Sequence, residues 1–211
     1  MPLLARAVGA MLALVLAAAP ALTAPALAAP AAAPAKTPPV EMTLGNPKAK
    51  VKVIEYASVV CPHCARFNEE VFPAFKAKYI DTGKVLYAFR ELPTEPVQVA
   101  AAGFLIARCS PGKYFQVLDA LFKGQAKLFE TREAKQYLLD AAAVGGLNEQ
   151  QVDTCLADEA AVSAFNDRVQ SALSKEKISA TPTFIIGDKV LNGEQTLEQL
   201  DAVIQPLLDT K

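Results

Sequence analysis

Ile54-Glu55-Tyr56-Ala57-Ser58-Val59-Val60-Cys61-Pro62-His63-Cys64-Ala65-Arg66-Phe67 is the stretch that decides how this chain reads. Residues 51–56 alternate as a β-strand does, with Val51, Val53 and Glu55 on one face. A helix is predicted to open at Cys61-Pro62-His63-Cys64, because Pro62 suits a first helical position, where its missing N–H costs nothing. A thiol there meets unpaired backbone N–H groups and the positive end of the helix dipole, and both favour the thiolate. His63, the only histidine in the chain, stands between the two thiols. Two cysteines at C-x-x-C spacing can close and reopen a small disulfide ring, so the stretch predicts a redox centre rather than a structural bridge.

Working outward, the helix is predicted to run over 62–79, with Phe67, Val71, Ala74 and Phe75 as its apolar stripe and a kink at Pro73. Asp81-Thr82-Gly83 ends it, and 85–89 reads as a second strand. Strand, helix, strand is a βαβ unit, so the two strands should be parallel with a right-handed crossover. Upstream, 40–44 is a candidate edge strand before a Gly45-Asn46-Pro47 turn. Downstream, Arg90-Glu91 reads as a solvated or capping pair. Helical periods then recur over 100–109, 114–122, 131–144, 148–156 and 160–173. Ser110-Pro111-Gly112, Gly124 and Gly145-Gly146 are read as breaks between them. Strands return at 183–186 and 189–191 around Gly187-Asp188, a two-residue hairpin signal. Thr196 and Gln199 have capping-box spacing at the start of a last helix, whose core face is Leu197, Leu200, Val203, Ile204 and Leu207. No internal repeat is visible.

Residues 1–28 read as a secretory signal peptide. Arg6 supplies the positive region, 7–16 the apolar run, and Ala26-Leu27-Ala28 the cleavage signal. An uncleaved anchor is the alternative. Residues 29–39 form an Ala/Pro-rich linker. The expected organisation is therefore leader, linker, a sheet-containing domain in two pieces (40–94 and 176–211), and a helical subdomain of 95–175 inserted between them. The formal net charge of −1, without basic clusters, argues against nucleic-acid binding. Four cysteines in an exported chain are free to pair.

The βαβ unit with C-x-x-C opening its helix, followed by a hairpin and terminal helix, resembles the thioredoxin fold. Cys61-Pro62-His63-Cys64 together with a helical insertion looks like the DsbA family of bacterial thiol:disulfide oxidoreductases. Residues 45–93 carry the strongest likeness, and Thr181-Pro182-Thr183-Phe184 is the second matching motif. The chain departs from the best-known members in having no Trp and in placing Cys109 and Cys155 in the insertion. The resemblance implies an α/β fold with an inserted helical subdomain and a periplasmic dithiol oxidase without cofactor or metal. Its partners would be reduced or unfolded exported proteins and a DsbB-like membrane oxidase. A monomer is expected.

Cys61, the outer thiol, is then the nucleophile and Cys64 the resolving thiol. His63 is expected to donate to or charge-stabilise the Cys61 thiolate. The resemblance implies a cis bond before Pro182, whose missing N–H leaves an open backbone edge where a substrate strand can pair with Thr181. Glu55, on the buried face of its strand, is a candidate proton relay for the inner thiol. Cys109 and Cys155, both near helix ends, are expected to form a structural disulfide; two buried free thiols are the alternative. Two other functions fit parts of the pattern. A disulfide isomerase or reductase uses the same fold, but such relatives typically add an N-terminal dimerisation domain, for which 29–50 is too short. A metal-binding module on Cys61, Cys64 and His63 would lack the fourth ligand of a structural zinc site.

Overall fold

A computed structural model describes residues 41–210. The signal peptide expected at 1–28 and the linker expected at 29–39 lie outside them. Among the described residues a five-stranded sheet has the order β1-β3-β2-β4-β5. Its centre is the βαβ unit: β2 (Val51–Ala57) pairs parallel with β3 (Val85–Glu91), in the register Val53 to Tyr87 and Glu55 to Phe89. The edge strand β1 (Met42–Gly45) runs antiparallel to β3. On the other side of β2 comes the antiparallel hairpin of β4 (Thr183–Ile186) and β5 (Lys189–Asn192). Gly187, at φ +60°, forms its turn together with Asp188.

The connecting helix opens as α1 (Pro62–Arg66), widens into a π turn at Phe67–Val71, resumes as α2 (Phe72–Phe75), and widens again at Lys76–Ile80. Pro73 has no N–H to give an α-helical ladder, and the first widened turn lies just ahead of it. The predicted kink thus takes the form of a π bulge. The helix still turns Phe67, Phe75 and Tyr79 inward, each no more than 1% exposed. Phe67 meets Phe184 of β4 edge-on at 4.7 Å between ring centres, and Phe72 lies 5.0 Å from Tyr87 of β3. Burying a Phe side chain contributes about 2–3 kcal/mol, so this contact fixes the helix over the sheet.

The helical block consists of α3 (Val97–Cys109), α4 (Tyr114–Thr131), α5 (Ala134–Gly145), α6 (Glu149–Leu156) and α7 (Glu159–Ser174). Its buried side chains form one continuous core with those of the sheet. A smaller cluster on the opposite sheet face joins Tyr56 to Leu92, Ala172 and Ile178. Gly124, read as a break, lies inside α4 instead. A Cβ there would stand 3.1 Å from the Tyr137 ring, so the glycine serves close packing of α4 on α5 rather than a turn. Cys109 and Cys155 form a disulfide between α3 and α6, with Cα atoms 6.1 Å apart. The last helix, α8 (Leu197–Asp209), starts with the expected capping box of Thr196 and Gln199.

Arg90 and Glu91 are not a solvated pair. Glu91, opposite Ala57 at the end of β3, is 3% exposed. Its carboxylate accepts from Arg108 at 2.5 Å, Arg168 at 3.0 Å and the Tyr114 hydroxyl at 3.0 Å. The strand runs two residues further than the alternation indicated, and that carries Glu91 beneath the helices. Arg90, on the other face, bridges Glu41 and Glu176.

Candidate active site

Strand β2 delivers the chain into a tight turn in which the Cys61 N–H donates to the Ser58 carbonyl at 3.0 Å. Cys61 is then the N-cap residue of α1. Its backbone is extended (φ −89°, ψ 121°), and its carbonyl accepts the Ala65 N–H at 3.1 Å. Pro62 occupies the first turn, as its fixed φ and absent donor allow. Both thiols are free. Cys61 is 7% exposed, and Cys64, one turn further in, is fully buried.

The two sulfurs differ sharply in acidity. The Cys64 S–H hydrogen-bonds to the Cys61 sulfur and does most to stabilise its thiolate; burial opposes it. The Thr181 side chain and the main-chain N–H groups of Cys64 and His63 add to the stabilisation, and the thiol falls from 9.0 to about 5. Burial pushes the Cys64 thiol far in the other direction, and the charges of Cys61 and Glu55 push it further. One group is poised as thiolate at neutral pH and the other is held as thiol. Such a split marks a pair with two different chemical roles.

Thr181 closes the site from the far side of the chain. Its carbonyl lies 3.4 Å from the Cys61 sulfur, and its bond to Pro182 is cis. Beneath the pair, Glu55 is 2% exposed and accepts the Tyr87 hydroxyl at 2.6 Å. Burial raises its carboxyl to about 8; the Tyr87 hydrogen bond opposes this, and the Cys61 charge reinforces it.

The His63 imidazole stands elsewhere. Its side chain is 61% exposed and its Nδ1 lies 3.3 Å from Glu194 and 2.6 Å from the Arg66 guanidinium. What His63 presents to the Cys61 sulfur is its main-chain N–H. Helical geometry supplies the reason, since residues two apart point to opposite sides, whereas Cys64, three on, returns to the side of Cys61.

The thioredoxin family model matches residues 37–206, most of the chain. The chain belongs to the thioredoxin family. Among solved structures of this family's fold, alpha-DsbA1 of Wolbachia pipientis is similar at 29% identity with a TM-score of 0.73, over 82% of this chain and 92% of that one. Disulfide bond formation protein D of Bacillus subtilis is 26% identical over 80% of this chain and 77% of its own length. A Rickettsia typhi protein, named provisionally as a protein-disulfide oxidoreductase, is 32% identical over 74% of this chain. The chain spans only 56% of that relative's length. The likeness to the DsbA type within the thioredoxin family, first drawn from Cys61-Pro62-His63-Cys64, thus extends to whole folds.

Three further thioredoxin-site groups escaped the sequence reading. Gln125 of α4 is buried and donates to the carbonyls of Val59 at 2.8 Å and Cys61 at 3.2 Å. The Tyr137 hydroxyl of α5 donates to Val59 at 2.8 Å. Together they satisfy carbonyls of a loop that no strand partner could reach. Gln125 carried a visible signal: it is a polar residue on the apolar stripe of Val117, Leu118, Leu121, Phe122 and Leu128. Glu194, on the loop after β5, had none.

Proposed function

We propose that the chain is an exported thiol:disulfide oxidoreductase acting as a dithiol oxidase in the periplasm. The observation that carries this is the opposed poise of Cys61 and Cys64 at the helix start. In the oxidised protein, a substrate thiolate attacks the Cys61 sulfur and breaks the Cys61–Cys64 bond. The electron pair passes to Cys64, which takes up a proton; buried Glu55, near neutral in its titration, supplies it. The substrate's second thiolate then attacks the substrate sulfur of the mixed disulfide. Cys61 leaves as a stable thiolate, and the substrate keeps the new disulfide. Two electrons stay on the protein, and a DsbB-like membrane partner removes them. Thr181, beside the Cys61 sulfur, pairs with the substrate backbone while Pro182 leaves the edge open. Export rests on the sequence of residues 1–28.

A stabilised thiolate favours the reduced protein and so makes the disulfide a stronger oxidant. Equilibrating the Cys61/Cys64 pair with glutathione tests this. The expected result is a disulfide more oxidising than that of glutathione, with rapid oxidation of a reduced model protein. A strongly reducing pair that cleaves insulin disulfides would assign the protein to the reductase side of its family.

A further inference from the structure

Glu194 follows the Asn192-Gly193 turn and is held in a fixed place. The Gly193 N–H donates to the Pro182 carbonyl at 2.8 Å. Gln195 donates back to the carbonyls of Asn192 and Gly193 at 3.2 and 3.1 Å. From this loop the carboxylate reaches α1, 128 residues away in sequence for Arg66. Arg66 Nε and Nη2 donate to its Oε2 at 3.1 and 2.9 Å, and His63 Nδ1 lies 3.3 Å from the same oxygen. Partial burial works against the carboxylate charge, but the bonds from Arg66 and His63 outweigh it and hold the carboxyl below its usual range. The Arg66 guanidinium is held charged by Glu194 first, then by Glu70 and, last, by the Cys61 thiolate. One cation therefore answers to three anions, only one of which is the reacting atom.

We propose that Glu194 is a positioning residue that restrains the oxidising strength of the Cys61–Cys64 pair, by pairing with Arg66 beside His63 so that the positive charge of the guanidinium is withheld from the Cys61 thiolate. This rests on reading the two thiols as the exchange pair. The titratable and charged groups around that thiolate and Arg66 are then Glu55 from β2, His63, Cys64 and Arg66 from α1, Glu70 from the π turn that follows, and Glu194 from the β5 loop. Glu55 sits buried below, so the rim pair is the adjustable part. Removing the Glu194 charge takes away the main counter-ion of Arg66 on the helix that Cys61 caps, favours the thiolate and so the reduced protein, and makes the disulfide the stronger oxidant. Exposure and salt screen the effect, which should be about threefold in the equilibrium constant with glutathione.

The test is a double-mutant cycle on the full chain, with wild type, Glu194→Gln, Arg66→Met and the double variant. Two quantities are read: the equilibrium constant with glutathione, and the pH at which the Cys61 thiolate absorbance is lost. Glu194→Gln should move the constant about threefold toward the reduced protein and shift the titration to lower pH. In the Arg66→Met background that shift should fall by half or more. No shift, a shift in the opposite direction, or a shift that survives in the Arg66→Met background at more than half its size would each overturn the proposal. The exchange-pair reading fails separately: Cys61→Ser with undiminished thiol exchange would sink it whatever Glu194 does.

Discussion

Replacing Glu55 with glutamine should stabilise the protein at neutral pH while slowing its chemistry. The carboxyl is 2% exposed and titrates near 8, against 4.5 for a free one. At pH 7 the unfolded chain holds it ionised, and folding must protonate it. Between 4.5 and pH 7 that is about 2.5 units, or about 3 kcal/mol at roughly 1.4 kcal/mol per unit. The sign follows from the raised value: the group contributes nothing adverse below its unfolded pKa, and stability is lost progressively as pH rises to about 8. Glutamine is neutral throughout and can still accept the Tyr87 hydroxyl. Glu55→Gln should therefore match wild type near pH 4 and exceed it by about 3 kcal/mol at pH 7. In a chain of this size that is a rise in melting temperature of roughly 6–12 °C. Denaturant titrations of the reduced forms at several pH values measure it, and oxidation of a reduced model protein measures the expected loss of turnover. A stability difference that is flat with pH would refute the idea that a buried, proton-exchanging carboxyl lies under the thiols.

The Cys61 thiolate should contribute about 3 kcal/mol to the reduced protein at pH 7, since its titration drops from 9.0 to about 5. That stability is lost as pH falls through about 5, so the reduced form should melt above the oxidised one at pH 7 and the gap should shrink in acid. Gln125→Ala should destabilise by about 1–2 kcal/mol, because it removes two buried hydrogen bonds while the Val59 carbonyl keeps the Tyr137 hydroxyl and the Cys61 carbonyl keeps the Ala65 N–H; a denaturant midpoint unchanged from wild type would contradict that role. Replacing Cys109 and Cys155 with alanine opens a loop spanning 46 positions and should cost up to about 4 kcal/mol of stability, measured against the intact bridge under the same redox conditions.

Local chemistry made much of this protein legible in its sequence. The alternation of 51–56, the proline after Cys61, the Gly187-Asp188 turn and the Thr196–Gln199 cap each act within a few residues, and each stands where it was read. The burial of Glu55 was legible too, because strand period alone places it with Val51 and Val53. Elsewhere the local signal was present but pointed wrongly. Gly124 reads as a helix break until the Tyr137 ring is seen against it, and Glu91 reads as solvated until two arginines from separate helices close over it. His63 was identified as part of the motif, yet where its imidazole points depends on Glu194, a residue 131 positions away. The acidity of Cys61, the support of its loop by Gln125 and Tyr137, and the meeting of Arg66 with Glu194 all depend on elements far apart in the chain. Short-range periodicity carries backbone conformation because hydrogen bonding and side-chain direction repeat every two or three to four residues. Electrostatics and polar satisfaction carry no such period, so only the folded arrangement determined which charges and carbonyls came to surround the thiols.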